Sequence, residues 1–227
     1  MTGKSELLNY LSRFVTPERN KRFNEVIAKR TRYVAIGLEN IYQPHNASAV
    51  LRSCDCFGIQ DVHIIENGNR YSVNPDVALG AEKWLTLNRY DSGNKSVGAC
   101  LDALKENGYK IAVTSLHKNK NNYTIENITL KDKLALFFGT EMHGATAELE
   151  SKADMFVKIP MLGFTESFNI SVAAALSMYV ISSRLRKENI AWQLSGGQKE
   201  DILLQWYRNT IPKAELLEKE FERRGGN

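Results

Sequence analysis

Ile159-Pro-Met-Leu-Gly-Phe-Thr-Glu-Ser-Phe-Asn-Ile-Ser171 is the stretch on which the reading of this chain turns. A strand-like apolar run ends at Ile159, Pro160 and Gly163 restrict the path that follows, and Ser167 to Ser171 open a helix of small residues. Taken alone, Ser167 reads as the cap of that helix. At such a junction, backbone groups and short polar side chains are left free to meet a ligand. Two earlier segments share the design. Phe138-Gly-Thr-Glu-Met-His-Gly144 follows the apolar run 134–138. It puts Gly139 where a bare backbone can approach a ligand, and Glu141 where a carboxylate can orient a polar partner. Asn46-Ala-Ser-Ala-Val-Leu-Arg52 follows the run 33–38, with Asn46 at an expected helix N-terminus and Arg52 farther along the same helix.

Hydrophobic periodicity around these segments gives an alternating series. Helices 4–14 and 18–30, the second opened by Thr16-Pro17, form an N-terminal arm. Strand 33–38, helix 46–57, strand 62–65, helix 72–80 and strand 84–87 come next. They are followed by helix 95–107, which Gly108 stops, and by strands 110–115 and 134–138 on either side of a polar stretch at 118–122. A short helix at 146–151, a strand at 155–159 and a long helix at 167–188 complete the series. Alternation on this scale predicts an α/β fold, a mostly parallel sheet with helices on both faces. Leu194-Ser-Gly-Gly197 reads as a flexible hinge before two further helices, 199–208 and 213–224. Their Trp206, Tyr207, Leu216, Leu217 and Phe221 are too apolar for a free tail, which predicts packing on the body or across a subunit interface.

A chain of 227 residues with 43% hydrophobic content buries a full core and needs no second large domain. Cys54, Cys56 and Cys100 are odd in number and form no C-x-x-C pair, while His45, His63, His117 and His143 lack ligand spacing. Both facts argue against a disulfide framework and against a metal site. The apolar run 170–181 is too short to span a bilayer and the N-terminus lacks the apolar core of a signal peptide, so a soluble cytoplasmic protein is expected. The net charge of +4 is unevenly spread: residues 1–32 carry eight Lys and Arg against three Asp and Glu, whereas residues 33–183 carry thirteen against sixteen. A basic arm on a slightly acidic body suits a polyanionic partner. The competing reading is a solvated helix face.

In this order and at these distances, the three segments resemble the motifs of the SPOUT methyltransferases, specifically the TrmH-type enzymes that methylate ribose 2'-hydroxyls in RNA. The resemblance covers nearly all of residues 33–186. The string from Ile159 is similar to the family pattern Ile-Pro-Met, then Ser-Leu-Asn-Val-Ser, with Phe168 standing for an aliphatic residue. The resemblance implies S-adenosyl-L-methionine as cofactor and a C-terminal deep trefoil knot. It makes Asn46, Arg52, Glu141, Ser167 and Asn169 the catalytic group, with Arg52 activating the hydroxyl with the help of a substrate phosphate. An arginine is an unusual base, because its guanidinium is normally protonated. By the same resemblance Thr114, Gly139, Ile159, Met161, Leu162 and Phe168 bind the cofactor. Independently, Gly37-Leu38-Glu39-Asn40 holds one glycine and no G-x-G-x-x-G, which disfavours a Rossmann-type methyltransferase.

The organisation implied is a basic helical arm at 1–32, a SPOUT catalytic domain at 33–190 and a helical extension at 191–227. The expected partner is tRNA, with the D-loop guanosine at position eighteen as target and Arg19, Arg22, Arg30 and Arg32 on its phosphates. A homodimer through helix 167–188 is implied, with no membrane and no metal. Ribosomal RNA is the alternative substrate, but relatives acting on it often carry a separate N-terminal RNA-binding domain, and an arm of about thirty residues favours tRNA. A catalytically silent RNA-binding protein on the same scaffold would have lost the Arg, Glu or Asn positions, and all are present.

Overall fold

The computed structural model describes residues 3–41, 43–66, 74–91, 96–115, 122–140 and 144–225. They fall into two compact units, one formed by Thr31–Trp192 and one by the described residues up to Arg30 together with those from Gln193 onward. Among the described residues the larger unit holds seven strands: β1 (Thr31–Glu39), β2 (Ile59–Glu66), β3 (Thr86–Asp91), β4 (Tyr109–Thr114), β5 (Asn122–Thr124), β6 (Lys133–Phe138) and β7 (Met155–Lys158). They form one sheet in the order β3-β2-β1-β6-β4-β7-β5, and each of these pairings is parallel. Its helices are α3 (Pro44–Phe57), α4 (Pro75–Ala78), α5 (Ser96–Glu106), α6 (Ala147–Ser151) and α7 (Ile170–Lys187); the smaller unit has α1 (Gly3–Ser12), α2 (Pro17–Ile27), α8 (Gly196–Thr210) and α9 (Ala214–Arg223).

Strand alternation divides the core between the two faces of the sheet. Val34, Ile36 and Leu38 of β1 meet Val50, Leu51 and Cys54 of α3 and Ala174, Met178 and Ile181 of α7. On the other face Ala35, Ile111, Val113 and Phe137 pack with Cys100, Leu101 and Leu104 of α5 and Leu149 of α6. Burial on both sides is why these strands read as continuous apolar runs. Gly37 sits where a Cβ would come within 2.2 Å of the Phe137 ring, so the ring lies across bare backbone.

Several elements differ from expectation, each for a local reason. The strand expected at 84–87 is Thr86–Asp91, because Trp84 closes a 3₁₀ turn (Ala81–Lys83) and Leu85 plugs the core. Of the helix expected at 72–80, residues 72 and 73 lie outside the described residues, and the helix Pro75–Ala78 stops before 80 because Leu79 and Gly80 both take positive φ, 49° and 79°. Of the polar stretch at 118–122, residues 118–121 lie outside the described residues, while Asn122 begins β5 at the sheet edge. The long helix starts at Ile170 rather than 167, with Asn169 and not Ser167 as its cap. Asn46 is no cap either: Pro44 takes the first helical turn of α3 and Gln43 the N-cap position. Leu194-Ser-Gly-Gly197 is not a hinge. Ser195 accepts from the Gln198 N–H while the Gln198 side chain accepts from the Ser195 N–H, and this capping box starts α8 at Gly196.

In the smaller unit, α8 and α9 pack on α1 and α2. Phe23 lies between Trp206 and Tyr207, tilted to one and edge-on to the other, with ring centroids 5.5 and 5.4 Å apart, and Tyr10 meets Phe221 at 5.3 Å. Thr16 accepts the Arg19 N–H ahead of Pro17, the expected start of α2.

His63 of β2 is buried, stacked on Tyr90 with its Nδ1 3.2 Å from the phenol oxygen. Burial pulls its pKa from 6.5 down to about 4. As pH falls, the unfolded chain therefore takes up a proton first. The stabilisation is whole above the unfolded value of 6.5 and drains away as pH drops toward 4, by an amount on the order of 3 kcal/mol. Thermal unfolding of wild type and His63→Gln should show a smaller loss of melting temperature in the variant between pH 6.5 and 4; parallel curves would contradict the assignment.

Candidate active site

Parallel pairing sets Val113 of β4 beside Phe137 of β6 and Thr114 beside Val157 of β7, so three strands reach their C-terminal ends together. Ligands of open parallel sheets bind beyond such ends. A cavity of about 420 Å³ lies there, within the range of small-molecule sites, roughly 300–1,000 Å³. Thr114 and Ser115 after β4, Phe138, Gly139 and Thr140 after β6, and Ile159, Met161, Glu166, Ser167 and Phe168 after β7 form most of its wall; Ile170 and Ala173 of α7 close it. The apolar side chains suit a flat heteroaromatic ring. The hydroxyls and loop amides offer directional bonds, and two carboxylates, Glu150 and Glu166, against one ammonium, Lys158, leave a balance that suits a ligand with positive charge.

The loop after β6 folds back on itself. A Cβ on Gly139 would stand 2.2 Å from the Ala145 nitrogen and from the Gly144 carbonyl carbon, so this position takes only glycine. Thr140 and Gly144 exchange backbone bonds of 2.8 and 3.0 Å, with Gly144 at φ 69°. Thr146 then caps α6 and bonds to Glu39 at the end of β1: its N–H donates to Oε2 at 2.8 Å and its hydroxyl to Oε1 at 2.6 Å. Burial raises the Glu39 pKa above the ordinary carboxylate value, and Glu148 and Glu150 add to the rise, while the two Thr146 bonds oppose it.

The first and third motifs meet directly. The Asn169 amide donates to Asn46 Oδ1 at 3.1 Å, across 123 residues of sequence. Asn169 Oδ1 accepts from the Ser171 N–H and hydroxyl at 2.9 and 2.6 Å, capping α7, and Asn46 Nδ2 donates to Gln43 Oε1 at 3.2 Å. Thr114 donates its hydroxyl to the Phe137 carbonyl at 3.1 Å, joining two of the strands at the cavity edge.

Of the residues expected at the site, Thr114, Gly139, Ile159, Met161, Ser167 and Phe168 line the cavity, and Asn46 and Asn169 are bonded to each other. Glu141 lies outside the described residues. Two others are not in the cavity wall. Arg52 is exposed on α3, away from the buried stripe of Ala47, Val50, Leu51 and Cys54. Leu162 is fully exposed. On the arm, Arg19 and Arg22 are exposed, with Arg22 3.7 Å from Glu25. Arg30 is buried with its guanidinium 5.5 Å over the Trp206 ring, and Arg32 pairs with Asp61 at 3.3 Å. These two cations serve internal contacts.

Sequence reasoning passed over Glu39, Ser115, Glu150 and Glu166. A carboxylate closing the apolar run of β1 was the available signal for Glu39, and Glu166 stands within the quoted string; Glu150 and Ser115 carry no such mark. Among the described residues there is no group of three His, Cys, Asp or Glu able to hold a metal ion, and no helix long and apolar enough to cross a membrane.

This geometry agrees with what the chain is similar to. A tRNA (guanosine(18)-2'-O)-methyltransferase of Borreliella burgdorferi is 43% identical over 211 residues, 93% of this chain and 94% of that protein. A protein of the same name from Thermus thermophilus is 31% identical over 164 residues, 72% of this chain and 81% of its own. The crystal structure of the A. aeolicus TrmH/SpoU tRNA modifying enzyme matches with a TM-score of 0.76 at 27% identity, covering 86% of this chain and 98% of that one. A family model described as the SpoU rRNA Methylase family matches residues 33–179. The chain belongs to the SpoU methylase family.

Proposed function

We propose that this chain transfers the methyl group of S-adenosyl-L-methionine to the ribose 2'-hydroxyl of guanosine 18 in tRNA, in the cytoplasm. The observation that carries the reading is the convergence of Thr114, Gly139, Ile159, Met161 and Ser167 on one cavity, with the Asn46–Asn169 contact joining the first motif to the third. The likeness over nearly the full length to a relative named for this reaction supports the choice of substrate. On the same reading the loops after β6 and β7 belong to a deep trefoil knot.

The cavity fits the donor by size and by lining. Ile159, Met161, Phe168 and Ile170 would enclose the adenosine, backbone groups of the loops after β6 and β7 would fix it, and Glu150 and Glu166 would face its positive charges. When bound, the donor supplies a sulfonium-activated methyl group. What remains for the protein is to bring an alcohol oxygen in line and help it lose a proton. Ser167, in the cavity wall, and Asn169, between the wall residues Phe168 and Ile170, would face the sugar. Arg52, exposed on α3, meets the RNA from the solvent side. A guanidinium donates from several N–H groups to a phosphate, so Arg52 orients the attacking ribose through its phosphate rather than acting as a simple base. Glu141 completes the catalytic group, and Arg19 and Arg22 hold tRNA phosphates.

The second copy of a homodimer would cover α7. Val172, Leu176 and Tyr179 follow helical spacing on α7 and, with Phe168 just ahead of the helix, are all exposed. An apolar stripe of this kind, left open to water, marks an association surface. Phe168 also lines the cavity, so a partner on the stripe would close the site.

Incubating the protein with labelled donor and unmodified tRNA, then mapping alkali-resistant linkages, should place methyl on the ribose of guanosine 18; methyl on a base would refute the reaction. Arg52→Ala should lose about a hundredfold or more in turnover while binding S-adenosylhomocysteine within about twofold of wild type. Equal activity would defeat its role. Replacing Arg19 and Arg22 with Gln should weaken tRNA binding and lower its log–log salt slope by roughly one to two. In sedimentation, Leu176→Glu should convert a dimer to a monomer with loss of activity; a variant that stays dimeric would place the seam elsewhere.

A further inference from the structure

We infer that Glu39 is a positioning residue that locks the return leg of the loop after β6, Gly144 to Thr146, to the end of β1 and so fixes one wall of the donor cavity; this rests on the methyl-donor reading above. Glu39 ends the central strand β1, directly after the apolar run Val34–Leu38, and is fully buried. A buried carboxylate is costly unless its oxygens are satisfied. Both are satisfied by one residue: Oε2 accepts the Thr146 N–H at 2.8 Å and Oε1 the Thr146 hydroxyl at 2.6 Å. The same hydroxyl oxygen accepts the Leu149 N–H at 3.3 Å, so Thr146 ties β1, the loop and α6 together.

The anchor is firm because β1 is paired on both sides, with β2 and with β6. The anchored loop is the one that matters to a ligand. Gly144 and Ala145, immediately before Thr146, line the cavity, and their backbone lies against Gly139. Glu39 itself is not in the cavity wall, so any effect on the donor passes through Thr146. A carboxylate accepts from both Thr146 donors at once. In Glu39→Gln the Thr146 hydroxyl would face an amide NH₂; it can turn to accept from that group while still accepting the Leu149 N–H, but its own hydrogen then loses the acceptor it has in Oε1.

The test measures S-adenosylhomocysteine affinity by calorimetry, steady-state kinetics and melting temperature for wild type, Glu39→Gln, Thr146→Val and the control Glu148→Gln. Glu148 is exposed and paired with Lys152 at 2.9 Å, outside the clamp. The dissociation constant and the KM for the donor should rise about tenfold in Glu39→Gln and Thr146→Val, while kcat at saturating donor and the KM for tRNA stay within about twofold. Glu148→Gln should bind as wild type does. Should Glu39→Gln fail to fold, Thr146→Val decides, because it keeps the carboxylate and the N–H bond and removes only the hydroxyl. Donor affinity at the wild-type level in a folded clamp variant, with or without a lowered melting temperature, overturns the inference and leaves the methyl-donor reading standing. A wild-type protein that binds no S-adenosylhomocysteine overturns both.

Discussion

The parallel ladder between β6 and β4, and between β4 and β7, delivers Phe138, Thr114 and Lys158 to one edge of one sheet. Everything that makes a site follows from that register. A one-residue slip would turn Thr114 toward the opposite face and carry its hydroxyl away from the Phe137 carbonyl. The loops beyond the edge are then held by devices that carry no apolar surface: a glycine over which backbone passes at Gly139, a two-bond bridge between Thr140 and Gly144, and a buried carboxylate beneath Thr146. Each fixes backbone, which is the part of a loop best suited to hold a ligand without a committed side chain.

The seam between α3 and α7 is mainly apolar and polar at one end. Val50, Leu51, Cys54, Ala174 and Met178 form the apolar part, with Cys54 Sγ 3.6 Å from Met178 Sδ. At the N-terminal ends of both helices it becomes the Asn46–Asn169 bond. Packing two helices on one face of the sheet thus brings two distant motifs together at the edge where the strands finish. Core packing and site assembly are the same event in this larger unit.

Much of this was legible in the sequence because the signals are local. Apolar runs on β1, β6 and β4 marked buried parallel strands, and Pro160, Gly163 and Asn169 marked a strand leaving into a helix start. The boundaries that moved were set by competition among nearby residues: Asn169 out-capped Ser167, and Ser195 with Gln198 turned an apparent Gly-Gly hinge into a helix start. Arg30 and Arg32 show the limit of charge counting. Their composition matches that of Arg19 and Arg22, and only three-dimensional neighbours, Trp206 for one and Asp61 for the other, separate internal cations from exposed ones. Glu39 was hidden for a related reason, since its partner Thr146 lies 107 residues away.

The central claim is that the segments after β4, β6 and β7 form one ligand site. Hydrogen exchange with and without S-adenosylhomocysteine tests it most directly, because backbone amides report each segment separately. The account predicts joint protection at residues 114–115, 138–146 and 158–171, with the arm at 3–30 unchanged. Protection confined to one of these segments, or centred on another part of the chain, would contradict it.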